Sequence, residues 1–172
     1  MKKENPMRRI YVEKVTVHIC TGEPGEKLDK AIELLRRITG MEPKIVKAKR
    51  RIKEWGIRPG LPIGAKVTLR REKIKEILPK LLEAIKRRVK ISQIDRDGNL
   101  SFGIEEYISI PGIKYDPKIG MMGMDICITL ARPGYRVKKR KRARSKIGKS
   151  HKITKEEAIE FYKKELGLII EE

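Results

Sequence analysis

In the strand expected from Val12 to Cys20 the chain alternates from Lys14 on, with Val15, Val17 and Ile19 on one side and Lys14, Thr16, His18 and Cys20 on the other. A period of two is the signature of a β-strand with one buried face. The pattern returns in three later stretches. Ala65, Val67 and Leu69 oppose Lys66, Thr68 and Arg70; Leu100, Phe102 and Ile104 oppose Ser101, Gly103 and Glu105; Met124, Ile126, Ile128 and Leu130 oppose Asp125, Cys127 and Thr129. A strand from Lys44 to about Ile52 has an open register, because Ile45 and Val46 are adjacent. One choice turns Val46, Ala48 and Ile52 inward and Lys47, Lys49 and Arg51 outward.

Three stretches follow helical spacing instead. Leu28, Ala31, Ile32, Leu35 and Ile38 predict a helix from Glu26 to about Thr39, with acids at its start, Arg36 and Arg37 near its end and Gly40 as a cap. Glu72 to about Val89 carries the stripe Ile74, Ile77, Leu78, Leu81, Leu82, Ile85 and Val89, with a kink or break expected at Pro79. Thr154 and Glu157 form a capping-box pattern that opens a last helix using Ala158, Ile159, Phe161, Tyr162 and Leu166. This order of elements predicts an α+β, two-layer domain. It has a mostly antiparallel sheet, helices packed on one face and a basic open face, plus a basic C-terminal extension and a terminal helix. One domain is expected over 1–172: a basic arm (1–9), a core (10–131), a basic segment (132–153) and the terminal helix (154–172).

Charge adds a partner to this picture. Lys and Arg number 43 against 23 acids, a net charge of +20, and self-repulsion of that size is relieved by a polyanion. No run approaches the ~18 apolar residues of a membrane span. The opening MKKENP lacks the apolar core of a signal peptide, so no membrane and a cytoplasmic location are expected. Neither strand of the hairpin around the 53–64 loop carries an acid. Like charges facing each other across strands cost stability, which favours an anionic ligand over a merely solvated face. RVKKRKRARSKIGK (136–149) holds nine Lys or Arg and no acid; it reads as a segment that orders on RNA rather than a solubilising tail or an import signal.

Candidate chemistry narrows the function class. G-x-x-x-x-G-K is absent, and two histidines allow no Ser-His-Asp arrangement. Asp95, Asp97, Glu105 and Glu106 could hold Mg²⁺ in a nuclease, but a turn and a strand face explain them equally well. A DNA-compacting basic protein is the other alternative. His18-x-Cys20 is half a metal site whose complement would have to come from His151 and Cys127, so no metal and no cofactor is expected. Aromatic residues are only 5%, too few for a base-stacking sheet. Contacts to phosphate and sugar from a sheet face are expected instead. About ten neutralised phosphates would give a salt slope of roughly −7 to −9. In the long loop, Trp55 either packs back on the hairpin or projects with Arg58.

Several ordered motifs carry a resemblance: K-V-x-V-x-I-x-x-G-E (Lys14–Glu23), I-T-G-x-x-P (Ile38–Pro43), K-A-K (Lys47–Lys49), P-I-G-A-K-V-T-L-R (Pro62–Arg70), F-G-I-x-E (Phe102–Glu106) and G-M-D-I (Gly123–Ile126). Together they resemble the universal large-subunit ribosomal protein number five. The ending, R-P-G-x-R-V followed by a basic run and S-H-K-x-T-K-E (Ser150–Glu156), resembles its archaeal and eukaryotic branch, and the short N-terminus the archaeal one.

The resemblance implies a non-enzymatic protein of the cytoplasmic ribosome. It would bind 5S rRNA, dock it onto 23S-type large-subunit rRNA in the central protuberance and sit among neighbouring large-subunit proteins. It would contact P-site tRNA through the long loop and a small-subunit protein across an intersubunit bridge. In the family the position of His18 is commonly Asn and that of Met41 commonly Gln, both 5S contacts together with the threonine matching Thr68. Met41 has no amide, so backbone or shape contact is expected there. Taken with the sheet face, the expected 5S rRNA contacts are Arg8, Arg9, Thr16, His18, Met41, Lys47, Lys49, Arg51, Lys66, Thr68 and Arg70. Large-subunit rRNA falls to Arg136, Lys138, Lys139, Arg140, Lys141, Arg142, Arg144 and Lys146, and tRNA to Lys53, Trp55, Gly56, Ile57, Arg58, Pro59 and Gly60.

Overall fold

Alternation becomes one sheet in the computed structural model, which describes residues 5–171. The first four residues of the expected basic arm, and Glu172 at the end of the expected terminal helix, lie outside the described residues. The strands are β1 (Tyr11–Cys20), β2 (Lys44–Lys47), β3 (Pro62–Leu69), β5 (Leu100–Ile104) and β6 (Met124–Ala131), in the order β2-β3-β1-β6-β5 and antiparallel throughout. The inward rows are those read from the period. Val15, Val17, Ala65, Leu69, Leu100, Ile126 and Ile128 are all fully buried, each larger side chain contributing about 1.5–3 kcal/mol.

Helices α1 (Glu26–Thr39) and α2 (Glu72–Ala84) pack against this apolar side. Leu28, Ala31, Leu34 and Leu35 of α1 are buried, while Ile32 and Ile38 are only partly so. Thr39 is buried without cost because its hydroxyl donates to the Leu35 carbonyl at 2.7 Å. Gly40 ends the helix at φ 61°, a left-handed conformation that glycine adopts freely.

Three expectations need correction. First, α2 is not interrupted at Pro79. Pro79 sits on the exposed side of the helix with Lys75, and the break expected there does not occur. Second, α2 stops at Ala84, and Val89 is not in it. Lys86 (φ 54°) and Arg87 (φ 56°) turn the chain out of the helix. Val89 then lies in β4 (Arg88–Lys90), paired in parallel with β7 (Ile169–Glu171). Third, the last helix, α4, runs Lys155–Leu166 and ends at Gly167 (φ 60°), so 169–171 is strand rather than helix. Its start is as expected: the Thr154 N–H donates to Glu157 Oε2 at 3.0 Å and the Glu157 N–H to Thr154 Oγ1 at 3.4 Å.

The strand from Lys44 is also shorter than expected. β2 ends at Lys47, and a loop runs from Ala48 to Leu61. Ala48 is buried as expected, but Ile52 is exposed and Val46 sits on the open face beside His18 and Lys66. Ile52 and Ile57 exchange two backbone bonds at 3.0 Å, making a small hairpin of the loop's outer part. Between β6 and α4 the basic segment begins with a four-residue helix, α3 (Arg136–Lys139).

Candidate nucleic-acid interface

The sheet face away from α1 and α2 is laid out in registered rows. Residues directly paired in an antiparallel sheet share a face, so the pairings place side chains next to one another. One row runs Lys44, Lys66, His18, Asp125 and Gly103 from β2 to β5. The next runs Thr68, Thr16, Cys127 and Ser101. Lys14 faces Thr129 beyond it, after a bulge at Glu13. Cations therefore gather on the β2–β3–β1 side, while the β6–β5 side is floored by small residues.

The electrostatics follow from that order. Lys44 and Lys66 are direct cross-strand neighbours of like sign, an arrangement that costs stability until an anion lies across it. Asp125 is the acid of the row, with Oδ2 4.0 Å from His18 Nδ1. The row of hydroxyls and a thiol can both donate and accept, as sugar and phosphate oxygens require.

Gly103 is not demanded by the fold. A Cβ there would meet Asp125 Oδ1 at 3.7 Å and the Met124 carbonyl at 4.0 Å, which is ordinary contact. Gly64 is different, because a Cβ there would lie 2.6 Å from the Ile19 carbonyl.

Not every residue assigned from the sequence lies on this face. Thr16, His18, Lys66 and Thr68 do. Lys49 and Arg51 lie in the loop past the end of β2, and Lys47 follows a register shift at the sheet edge. Arg70 falls just past β3. Met41 packs half-buried against the core between α1 and β2. Arg8 and Arg9 are exposed before β1, with the Arg8 carbonyl accepting from Arg132 Nε at 3.0 Å. The face residues missed in the assignment include Lys14, Lys44, Ser101, Gly103, Asp125, Cys127 and Thr129. Alternation had already turned all of these but Lys44 outward; Lys44 was lost to the wrong register.

In the outer loop Trp55 is 71% exposed, so it projects rather than packing back. Ile57 is 6% exposed. Its side chain is therefore turned into the loop, while Trp55 is turned out of it.

In the basic segment all eight assigned cations are exposed. The chain folds back on itself, with the Ser145 N–H donating to the Val137 carbonyl at 3.3 Å and Arg140 Nε to the Ala143 carbonyl at 2.7 Å. Lys139 pairs with Glu13 of β1. Both roots of the segment are tied down. The Ile153 N–H donates to the Tyr135 hydroxyl at 2.9 Å, and Arg132 Nη1 donates to the Lys152 carbonyl at 3.2 Å.

Arg132 also holds Glu157, with Nη2 to Oε1 at 2.8 Å. Burial alone would raise the Glu157 carboxyl, but the Thr154 N–H and the Arg132 guanidinium outweigh it and hold the group below its ordinary range.

Asp95 is occupied in its turn, accepting from the Asn99 N–H at 2.8 Å and from Asn99 Nδ2 at 2.7 Å. Among the described residues no three His, Cys, Asp or Glu are grouped to hold a metal ion. No helix among them is long and apolar enough to cross a membrane.

Two family models match the chain: ribosomal protein L5 over residues 5–58 and the C-terminus of the same ribosomal protein family over 62–163. Their boundary falls in the loop between β2 and β3, strands that pair with each other. The chain is 55% identical over 168 residues to the large ribosomal subunit protein uL5 of Nanoarchaeum equitans, covering 97% of this chain and 99% of that one. It is 53% identical over 169 residues to uL5 of Pyrobaculum aerophilum (98% and 94% covered). With uL5 of Methanosphaera stadtmanae it shares 42% over 167 residues (97% and 99% covered).

Proposed function

The chain belongs to the ribosomal protein L5 family, a family of structural large-subunit proteins rather than enzymes, and we propose that its open sheet face binds 5S rRNA. The observation that carries this reading is the pair of registered rows. Lys44, Lys66 and His18 offer charge for phosphates, and Thr68, Thr16 and Ser101 offer hydroxyls for sugar oxygens. Small side chains at Gly103, Ser101 and Cys127 let an RNA backbone approach the sheet closely.

The finer assignments rest on the same family membership. The basic segment 136–149 docks the complex onto 23S-type large-subunit rRNA in the central protuberance of the cytoplasmic ribosome, among neighbouring large-subunit proteins. The loop bearing Trp55, Arg58 and Gly60 reaches P-site tRNA, and an intersubunit bridge engages a small-subunit protein. The single domain 1–172 is part of the reading, since the two family segments share one sheet.

The test is hydroxyl-radical footprinting of the protein on a mixture of 5S and large-subunit rRNA, with cleavage tethered from the exposed Cys20 at the end of β1 in a Cys127→Ser variant. Cuts confined to 5S rRNA support the reading. Cuts confined to large-subunit rRNA would reverse the assignment of the face.

A further inference from the structure

A cleft of about 1050 Å³ lies between the Glu13–Thr129 end of the sheet and the basic segment. It is lined by Lys138, Arg144, Lys146, Lys149 and Lys152, none of which has an ion-pair partner among the described residues. Lys139 alone is neutralised, by Glu13. Tyr135 and Ile147, both half-buried, line it as well, together with Thr129 of β6. Asp97 and Asn99 come from the turn before β5. Asn99 Nδ2 donates one of its two N–H groups to Asp95 Oδ2 at 2.7 Å, and its Oδ1 is an acceptor beside the acceptor-only Asp97.

The cleft thus offers cations, apolar side chains and acceptors from the turn. An acidic peptide carries one charge per carboxylate and no ring edged with donors beside it. A nucleotide satisfies all three, through its phosphate, its ring face and its amino or ring N–H donors. The volume is slightly above the about 300–1,000 Å³ of pockets for single small ligands, as fits a cleft that also passes a strand.

We propose that this cleft seats one unpaired nucleotide of a single-stranded RNA, with its phosphates on Lys138, Arg144 and Lys146 and its base against Tyr135 and Ile147. This rests on the reading of segment 136–149 as the part that docks large-subunit rRNA, and places within it a seat for one base, apart from the sheet face. The segment is held at both roots by Arg132 and Tyr135, so the wall it forms keeps its place opposite β1 and β6.

The experiment uses the full chain and three probes: a labelled single-stranded octaribonucleotide, an abasic ribose–phosphate strand of the same length, and AMP. The octaribonucleotide is expected to bind at least about tenfold more tightly than the abasic strand, the worth of one seated base. Ile147→Ala is expected to weaken the octaribonucleotide about fivefold and to leave the abasic strand unchanged. Arg144→Glu with Lys146→Glu is expected to weaken both by about a hundredfold. Equal affinity for the two strands, or no effect of Ile147→Ala, would overturn the base seat. Displacement by AMP at the octaribonucleotide's own affinity would overturn the assignment to a strand.

Lys44→Glu with Lys66→Glu separates the two sites. Loss of 5S rRNA with the octaribonucleotide retained supports both. Loss of the octaribonucleotide in that variant would overturn the cleft and leave the sheet face standing.

Discussion

Arg132 Nη2 donates to Glu157 Oε1 at 2.8 Å, although the arginine is 4% exposed and the glutamate's side chain 40%. One guanidinium thereby joins four pieces of chain: the end of β6, the arm before β1 through the Arg8 carbonyl, the root of the basic segment through the Lys152 carbonyl, and the first turn of α4.

Replacing Arg132 with Met should remove these bonds while keeping much of the volume. Glu157 can turn to water, so the loss should be below that of a fully buried pair, about 2–3 kcal/mol. Urea unfolding measures it. A loss under about 0.5 kcal/mol would mean the guanidinium is not holding the segments together.

The same pair sets an acid dependence. The Glu157 carboxyl is held below its ordinary value of 4.5 in the folded chain, so the unfolded chain takes up the proton more readily. Its stabilisation is complete above that value and is lost as pH falls through the lower, folded one. The melting temperature of the wild type should fall on acidification more steeply than that of Glu157→Gln. Parallel curves would refute the assignment.

On the open face, Lys44→Glu with Lys66→Glu should weaken 5S rRNA binding by one to two orders of magnitude and reduce the salt slope by about 1.4 to 1.8. Lys49→Glu with Arg51→Glu lies off the sheet and should cost much less. Filter binding over a salt series distinguishes the two. Equal losses would mean that total charge, not the face, attracts the RNA.

Gly103→Leu tests close approach without altering charge. A Cβ is accommodated at 3.7 Å from its nearest neighbour, so unfolding free energy should change by less than about 1 kcal/mol. Binding to 5S rRNA should fall at least about tenfold, a loss of about 1.4 kcal/mol. Retained affinity would move the RNA away from the β5–β6 side.

Trp55→Ala should leave stability within about 0.5 kcal/mol, since the ring is 71% exposed. Binding to 5S rRNA should persist. The change should appear in protection of tRNA on assembled ribosomes, read by chemical probing. Unaltered protection would remove Trp55 from the tRNA contact.

Where a segment's burial is decided by its own alternation, the sequence was readable. Val15, Val17 and Ile19, or Leu100, Phe102 and Ile104, needed no knowledge of the rest of the chain. Val89 failed because Ile85 and Val89 keep helical spacing, while the turn at Lys86 and Arg87 serves a strand far along the chain. Lys44 failed for a local reason: with Ile45 and Val46 adjacent, only pairing with Gly64 and Ala65 decides which points outward. The cleft was invisible because its walls, Thr129 and Lys146, meet only through the fold-back of the basic segment. The open face was legible in kind but not in layout, because alternation names a side and pairing orders the row.

The parallel pair Val89–Ile170 has a bearing on how this chain comes into being. At a translation speed of about 5–20 residues per second, β4 emerges roughly 4 to 16 s before β7 can join it. Through that interval its edge stands uncovered on a nascent polypeptide of high positive charge, still within reach of the RNA of the ribosome that is making it.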